Sequence, residues 1–352
     1  MAYTPIDDSE LYFQTKLYTG NGTDDTAITL DGAEDMAPDF VWIKKRNSAE
    51  NHVLFDTVRT ATKYLFADTN AAEATDTGSL KAFTSDGFTL GTAGRSNNNT
   101  NTFAAWCWKA GTTSGISGSA DITPSAYSIS QAAGMSIVKY TGSTGATRTV
   151  LHGLGSAPDM IFIKMLTGGT NGWIVGGNNI VSNWGGVLVL NNTAAIFTNA
   201  YFGGAVPNST TFSISNTSEV NSANTHIAYC FRSIQGFSKF GSYIGNANDN
   251  GTFVYTGFKP AFVIIKKRDG SDGWNMWDNK INPFNEVTKF LSPDSNEAEQ
   301  TGSSDHQLDF LSNGFKCRES GGETNGSGGN YIYLAWAEAP FVNSNGVPCN
   351  AR

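Results

Sequence analysis

The chain has 352 residues with 31 acidic against 23 basic side chains, a net charge of −8 and only 15% charged residues, against about 25% in average soluble proteins. That balance argues against a nucleic-acid partner, which needs Lys and Arg gathered on one face, and no run approaches the ~20 apolar residues of a membrane span. The first ten residues are acidic and lack an apolar core, so synthesis in the cytoplasm without an export leader is expected.

From the N-terminus, short runs rich in Val, Ile, Phe, Trp and Tyr, bounded by Gly, Asn, Asp and Pro, predict strands near 14–19, 26–30, 39–45, 52–56, 62–67, 79–84, 87–91 and 102–109. These are enough for two packed antiparallel sheets. The Gly/Ser/Thr-rich stretch 111–133 then predicts a flexible linker. Beyond it the pattern begins again, twice. Tyr18-Thr19-Gly20, Tyr140-Thr141-Gly142 and Tyr243-Ile244-Gly245 open three units. Ala37-Pro38-Asp39-Phe40-Val41-Trp42-Ile43-Lys44, Ala157-Pro158-Asp159-Met160-Ile161-Phe162-Ile163-Lys164 and Lys259-Pro260-Ala261-Phe262-Val263-Ile264-Ile265-Lys266 form their middle strands. Ala105-Trp106-Cys107-Trp108, Ala228-Tyr229-Cys230-Phe231 and Ala335-Trp336-Ala337-Glu338 close them. Pro38 to Pro158, Tyr18 to Tyr140 and Ala105 to Ala228 are 120, 122 and 123 residues apart; the corresponding steps to the third unit are 102, 103 and 107. Such a period makes each unit domain-sized.

The expected fold is all-β, with little helix: three tandem antiparallel β-sandwich units, jelly-roll or lectin-like, over 1–110, 134–236 and 237–352. Residues 232–236 run almost directly into 237–240, so units two and three are expected to pack together, with unit one hinged. Segments 70–74 and 296–299 predict at most one helical turn each. The middle strands are apolar on both faces, unlike a strand with one wet face, so a loop layer, a neighbouring unit or another subunit must cover the outer face.

Residues suited to chemistry are sparse. Four cysteines do not make a disulfide framework: Cys107 and Cys230 fall in equivalent apolar slots, and Cys317 with Cys349 is the only pair open to bridging. His52 precedes a strand, His152 sits in the turn 151–155 and His306 in a polar loop, while His226 aligns with Phe103 and Tyr333 as a packing residue. No metal-ligand spacing appears, so neither metal nor cofactor is expected. Lys44-Lys45-Arg46 and Lys266-Lys267-Arg268 read as solvated strand ends. Asp56 aligns with Asp278, and paired carboxylates would suit glycoside hydrolysis. Unit two, however, has Gly177 at that place, which favours a turn or cap role. Asn246 to Gly251 resembles the start of a calcium loop, but the twelfth residue is Gly257 and not Glu, and Asn250-Gly251 is also a hairpin signal. Trp173 and Trp274 align and are expected in the core. Trp184 has no counterpart and is the aromatic expected to be exposed, where with Asn183, Asn191 and Asn192 it would offer a sugar a ring face and amides.

The run Tyr18-Thr19-Gly20-Asn21-Gly22, the middle strand 37–44, Phe88-Thr89-Leu90-Gly91, residues 105–111, His152-Gly153-Leu154-Gly155 and Ala339-Pro340-Phe341-Val342-Asn343 together resemble repeat-containing virion proteins of marine tailed bacteriophages, over about residues 11–352. The resemblance implies a non-enzymatic structural, tail-fibre-like virion protein that mediates attachment to the host surface. It further implies other virion proteins as partners and homo-oligomerisation with a trimer favoured, while host surface glycan is the ligand that the loop around Trp184 would suit. Capsid decoration or a head fibre, a carbohydrate-binding adhesin, and a glycan depolymerase using Asp56 or Asp278 are the alternatives. The chain departs from a fibre in having neither heptads nor a fibrous shaft, and its first ten residues are the only candidate anchor.

Overall fold

The structure is a computed structural model that describes residues 4–6, 8–302 and 305–337. Unit one comprises β1 (Phe13–Thr19), β2 (Thr26–Thr29), β3 (Phe40–Lys45), β4 (Val53–Asp56), β5 (Lys63–Phe66), β6 (Ala74–Thr75), β7 (Leu80–Thr84), β8 (Gly87–Leu90), the one-turn helix α1 (Gly94–Asn97) and β9 (Thr102–Trp108). A large sheet ordered β1-β9-β3-β4-β5-β6 faces a small one ordered β2-β8-β7. Unit two comprises β10 (Ala126–Ser130), β11 (Met135–Thr141), β12 (Arg148–Leu151), β13 (Met160–Met165), β14 (Ile174–Gly177), β15 (Leu188–Val189), β16 (Thr211–Ile214), α2 (Ser218–Asn221) and β17 (Thr225–Phe231). Its sheets run β10-β11-β17-β13-β14-β15 and β12-β16. Unit three comprises β18 (Ser238–Ile244), β19 (Phe253–Tyr255), β20 (Phe262–Lys267), β21 (Trp274–Asp278), β22 (Lys289–Phe290), β23 (Gln300–Thr301), β24 (Leu308–Leu311), β25 (Gly314–Cys317) and β26 (Asn330–Trp336). These form β18-β26-β20-β21, β19-β25-β24 and the pair β22-β23. The fold is thus all-β, as the apolar runs predict, and no described helix is long and apolar enough to cross a membrane.

Successive strand residues point to opposite faces, and here each face has its own core. In β3, Val41 and Ile43 pack inside unit one, whereas Phe40 and Trp42 join a cluster that draws on all three units. The same division holds for Ile161 and Ile163 against Met160 and Phe162, and for Val263 and Ile265 against Phe262 and Ile264. The three large sheets therefore face one another around a pseudo-threefold axis. Trp336 of unit three stands beside both Trp108 of unit one, at 5.4 Å, and Phe231 of unit two, at 5.7 Å. A neighbouring unit, not another subunit, covers the outer faces. Unit one is not hinged, since its strands supply as much of this shared core as the others.

Strand pairing corrects the third closing motif. Phe40, Met160 and Phe262 sit opposite Trp108, Phe231 and Trp336 respectively, so Ala105 and Ala228 correspond to Tyr333, and His226 corresponds to Phe103 and Tyr331. The opening motif has a physical cause. Tyr18, Tyr140 and Tyr243 stack on Phe103, His226 and Tyr331 at 5.1, 5.2 and 5.0 Å. Their hydroxyls donate to the carbonyls of Ser96, Val220 and Thr324. The next residue in each unit is a buried Asn, whose Oδ1 accepts from the backbone N–H of Asn21, Ser143 or Asn246. Gly20, Gly142 and Gly245 lie so close to this turn that a Cβ would strike the carbonyl of Asn98, Ser222 or Gly326.

The seams repeat as well. Glu73 N–H donates to the Leu166 carbonyl, Ile196 to Arg268 and Glu299 to Arg46, so unit one latches onto two, two onto three and three onto one. The interface is heterologous and closes after three steps. Lys44, Lys164 and Lys266 seal it from the other side, donating to the carbonyls of Asn296, Asn70 and Thr193 across their seams. All three are fully buried, contrary to the solvated strand ends expected for Lys44 and Lys266, and burial lowers each to about 8. Segments 70–73 and 296–299 are these latches and not helical turns; among the described residues the helical turns lie at α1, α2 and a 3-10 turn over Ser9–Leu11. Residues 126–130 of the expected linker are strand β10, paired along β11. Thr4, Ile6 and Ser9 are buried, so the described part of the expected anchor segment packs on the body.

Because the axis core is common to all units, the chain should unfold in one calorimetric transition, and Trp336→Ala should cost about 3–5 kcal/mol without splitting it; separate transitions would contradict a shared core. Lys164 is lowered by burial alone, from 10.5 to about 8, so between these values the unfolded chain binds more protons and stability rises with pH. In denaturant titrations the native chain should gain roughly 2–3 kcal/mol on Lys164→Met across that pH window.

Candidate functional site

Trp184 is fully buried, which corrects its expected exposure. It lies on the loop between β14 and β15 at a left-handed φ of 58°, its ring meets Phe202 at 5.0 Å, and its Nε1 donates to Asn178 Oδ1 at 2.7 Å. It is a core residue of unit two, so its ring is not offered to a sugar. Asn183 and Asn192 are exposed, each capping a backbone N–H two residues on. Asn191 is half-buried, and its Oδ1 takes Trp173 N–H at 2.8 Å. The four residues do not form one surface site. Trp173 and Trp274 are in the core, as expected, with their Nε1 groups donating across seams to the carbonyls of Phe66 and Val189.

Asp56 and Asp278 lie inside seams and are not exposed to solvent. Asp56 accepts from Arg59 Nε at 2.5 Å and from Tyr229 Oη of unit two at 2.6 Å. Asp278 accepts from Trp106 Nε1 and Thr15 Oγ1 of unit one at 2.9 and 2.7 Å. Strand pairing makes Trp106, Tyr229 and Leu334 equivalent, and likewise Asp56, Gly177 and Asp278. Two seams thus carry a buried aromatic donor on a carboxylate, and the third replaces both with Leu334 and Gly177. Asp68 and Asp294 cap the N–H groups of His52 and Trp274, and burial raises each to about 6.

His226 is buried and stacked on Tyr140, the packing role expected for it, and burial lowers its pKa and those of His52 and His152. His52 Nδ1 accepts from Trp42 Nε1, and its Nε2 faces the Ser292 carbonyl of unit three without hydrogen-bond geometry. Cys107 and Cys230 are buried thiols, and burial pushes Cys317 up to about 12; Cys349 lies outside the described residues. In the segment resembling a calcium loop, Asn246 and Asn248 Oδ1 atoms accept from the backbone N–H of Asn248 and Asn250. The segment carries the chain from β18 to the other sheet at β19, so it is not a hairpin.

Two concave surfaces open among the described residues. One, of about 500 Å3, lies where the crossing from unit one passes over unit two, and Ser114, Ser117, Gln131 and Thr210 line it without a charged group. The other, of about 1070 Å3, runs along the seam of units one and three between Leu17 and Asp31 on one side and Phe284, Phe310 and Asn313 on the other. Nine residues separate Asp278 from Thr288, where five separate Asp56 from Thr62. That longer loop lifts Phe284 to 79% exposure at the rim. Asn285 holds the loop by bonds to both backbone groups of Phe310 at 2.9 Å. Lys280 Nζ ties the floor together, reaching Asp31 Oδ1 and the Thr15 carbonyl at 2.9 Å each. Asn279 Oδ1, which also borders the groove, is buried without a partner among the described residues. The extra loop length was the available sequence signal for this groove.

Tyr229→Phe removes one donor from the buried Asp56, so it should destabilise the chain by about 1–3 kcal/mol in denaturant titrations; an unchanged midpoint would show that the seam does not need it.

A family model described as a domain of unknown function, DUF7483, matches residues 8–340 and so takes in all three units. Comparison with curated proteins and with solved structures finds no match. A match over nearly the whole chain makes this protein a member of the DUF7483 family.

Proposed function

We propose that the protein is a non-enzymatic virion component that attaches a phage particle to the host surface through its unit one–unit three seam. The virion assignment rests on the sequence resemblance. The attachment reading is carried by the groove, where a ring exposed to 79% stands beside amide side chains and an ion pair at the mouth of a cleft of about 1070 Å3. An aromatic face with neighbouring amides suits a sugar ring, whose two faces are apolar and whose edge is hydroxylated. The carboxylates best placed by sequence for hydrolysis, Asp56 and Asp278, serve the seams instead, which favours recognition over glycan cleavage.

A second reading, capsid decoration, draws support from the pseudo-threefold ring. One chain supplies three related faces around an axis, a shape that suits a threefold position on a particle, and its latches are satisfied internally. On this reading a single chain takes the place of the trimer expected from the sequence.

Phe284→Ala should leave the unfolding midpoint unchanged and weaken binding to host cells or extracted host polysaccharide about tenfold, the equivalent of about 1.4 kcal/mol. Equal binding by both forms would remove the groove from attachment. Antibody labelling of intact particles then separates the readings: label at the tail supports attachment, and label spread over the head supports decoration.

A further inference from the structure

The three units carry three copies of one sheet edge, and among the described residues only one copy is covered. Strand pairing makes Ala27, Thr149 and Phe253 equivalent, and likewise Ile28, Val150 and Val254, and Thr29, Leu151 and Tyr255. In unit two the incoming chain lies along this edge. Ile122 forms a parallel bridge to Val150; its N–H donates to the Thr149 carbonyl at 3.0 Å, and its carbonyl accepts from Leu151 N–H at 3.4 Å. Asp121 Oδ2 accepts from Thr149 N–H at 2.8 Å. Leu151 is buried there.

In unit three no described residue lies along the edge. Thr252 and Thr256 bond inward to Cys317 and Asn313, so antiparallel alternation turns the backbone groups of Phe253 and Tyr255 outward. Lys239 Nζ takes the Tyr255 carbonyl at 2.9 Å. The Phe253 N–H and C=O and the Tyr255 N–H have no partner among the described residues. They correspond to the three backbone groups that residues 121–122 satisfy in unit two. Their side chains are 45% and 54% exposed, and Ile244, held beside the strand by Thr252 Oγ1, is 62% exposed. Unit one keeps Ala27 and Thr29 at the same places, with Asp24, Asp25 and Lys81 alongside, a guarded edge.

We propose that the edge of β19 accepts an extended segment of a partner polypeptide, laid parallel to it as residues 121–122 lie on β12. The chain's own occupied copy defines the chemistry of that segment: an acidic residue followed by a branched apolar one, in a stretch without Lys or Arg. Charge agrees with this, because Lys239 lies 5.3 Å over the Tyr255 ring and Lys316 sits opposite Phe253. Main-chain bonds supply affinity in such strand addition, and the side chains on the exposed face select the partner. The site is separate from the seam groove and stands whether or not that groove meets the host.

The test uses the full chain and a labelled synthetic peptide with the sequence of residues 117–126, titrated by fluorescence anisotropy. The comparison chain carries Phe253→Ala and Tyr255→Thr, the residues that unit one holds on the same edge. The expected result is saturable binding to the native chain, at least tenfold weaker both for the double variant and for a peptide with Ile122→Asp. No binding at millimolar peptide overturns the proposal. Equal binding to the double variant also overturns it, since the peptide is then displacing its own parent segment from β12. Concentration-dependent self-association that the double variant abolishes assigns the edge to a second copy and overturns the partner form.

Discussion

Every large sheet in this protein must be kept from water on both faces, and that demand shapes the rest of the molecule. Within a unit, the small sheet covers one face of the middle strands. Phe40 and Trp42, Met160 and Phe162, and Phe262 and Ile264 occupy the other face. Pairing two units would leave the third bare, and a linear row would leave both ends incompletely covered. A closed ring of three covers all of them, with Trp108, Phe231 and Trp336 gathered near its axis. Apolar burial drives this association but is non-directional.

Direction comes from the polar groups buried in the seams. The latch bonds of Glu73, Ile196 and Glu299 and the lysines at 44, 164 and 266 fix how far each unit slides along its neighbour. A buried cation is costly, as the lowered lysine pKa values express, and it is tolerated here because each ammonium sits among backbone carbonyls. The carboxylates in two seams act alike in tying one unit to the next: Asp56 Oδ2 accepts from Arg59 of its own unit and Tyr229 of unit two, and Asp278 Oδ2 of unit three accepts from both Thr15 and Trp106 of unit one. What looks in sequence like a duplicated acid is a duplicated joint.

Strand positions in unit one were legible because alternating apolar runs bounded by turn residues report burial directly. The ring was legible only as a question, posed by strands apolar on both faces. The third closing motif misaligned by two residues because a shift of two preserves which side chains face which core, so pattern alone cannot detect it; only the pairing of Phe262 with Trp336 settles the register. Exposure was the weakest inference. Trp184 sits among Gly and Asn residues yet is drawn inward by Phe202 and Asn178, and Lys44 looks like a strand end yet points into a seam. Loop composition reports turn chemistry, not the direction in which the turn aims its side chains.

A ring built from one continuous chain differs from a ring of identical subunits in what a single codon change can do. In a homotrimer any substitution appears three times, so each joint and each surface must change in concert. Here one seam has exchanged its acid and aromatic donor for Gly177 and Leu334 while the other two kept theirs, and a single unit carries the lengthened loop that bears Phe284. The architecture keeps the mechanical benefit of threefold closure while freeing each third of the circumference to acquire its own partner.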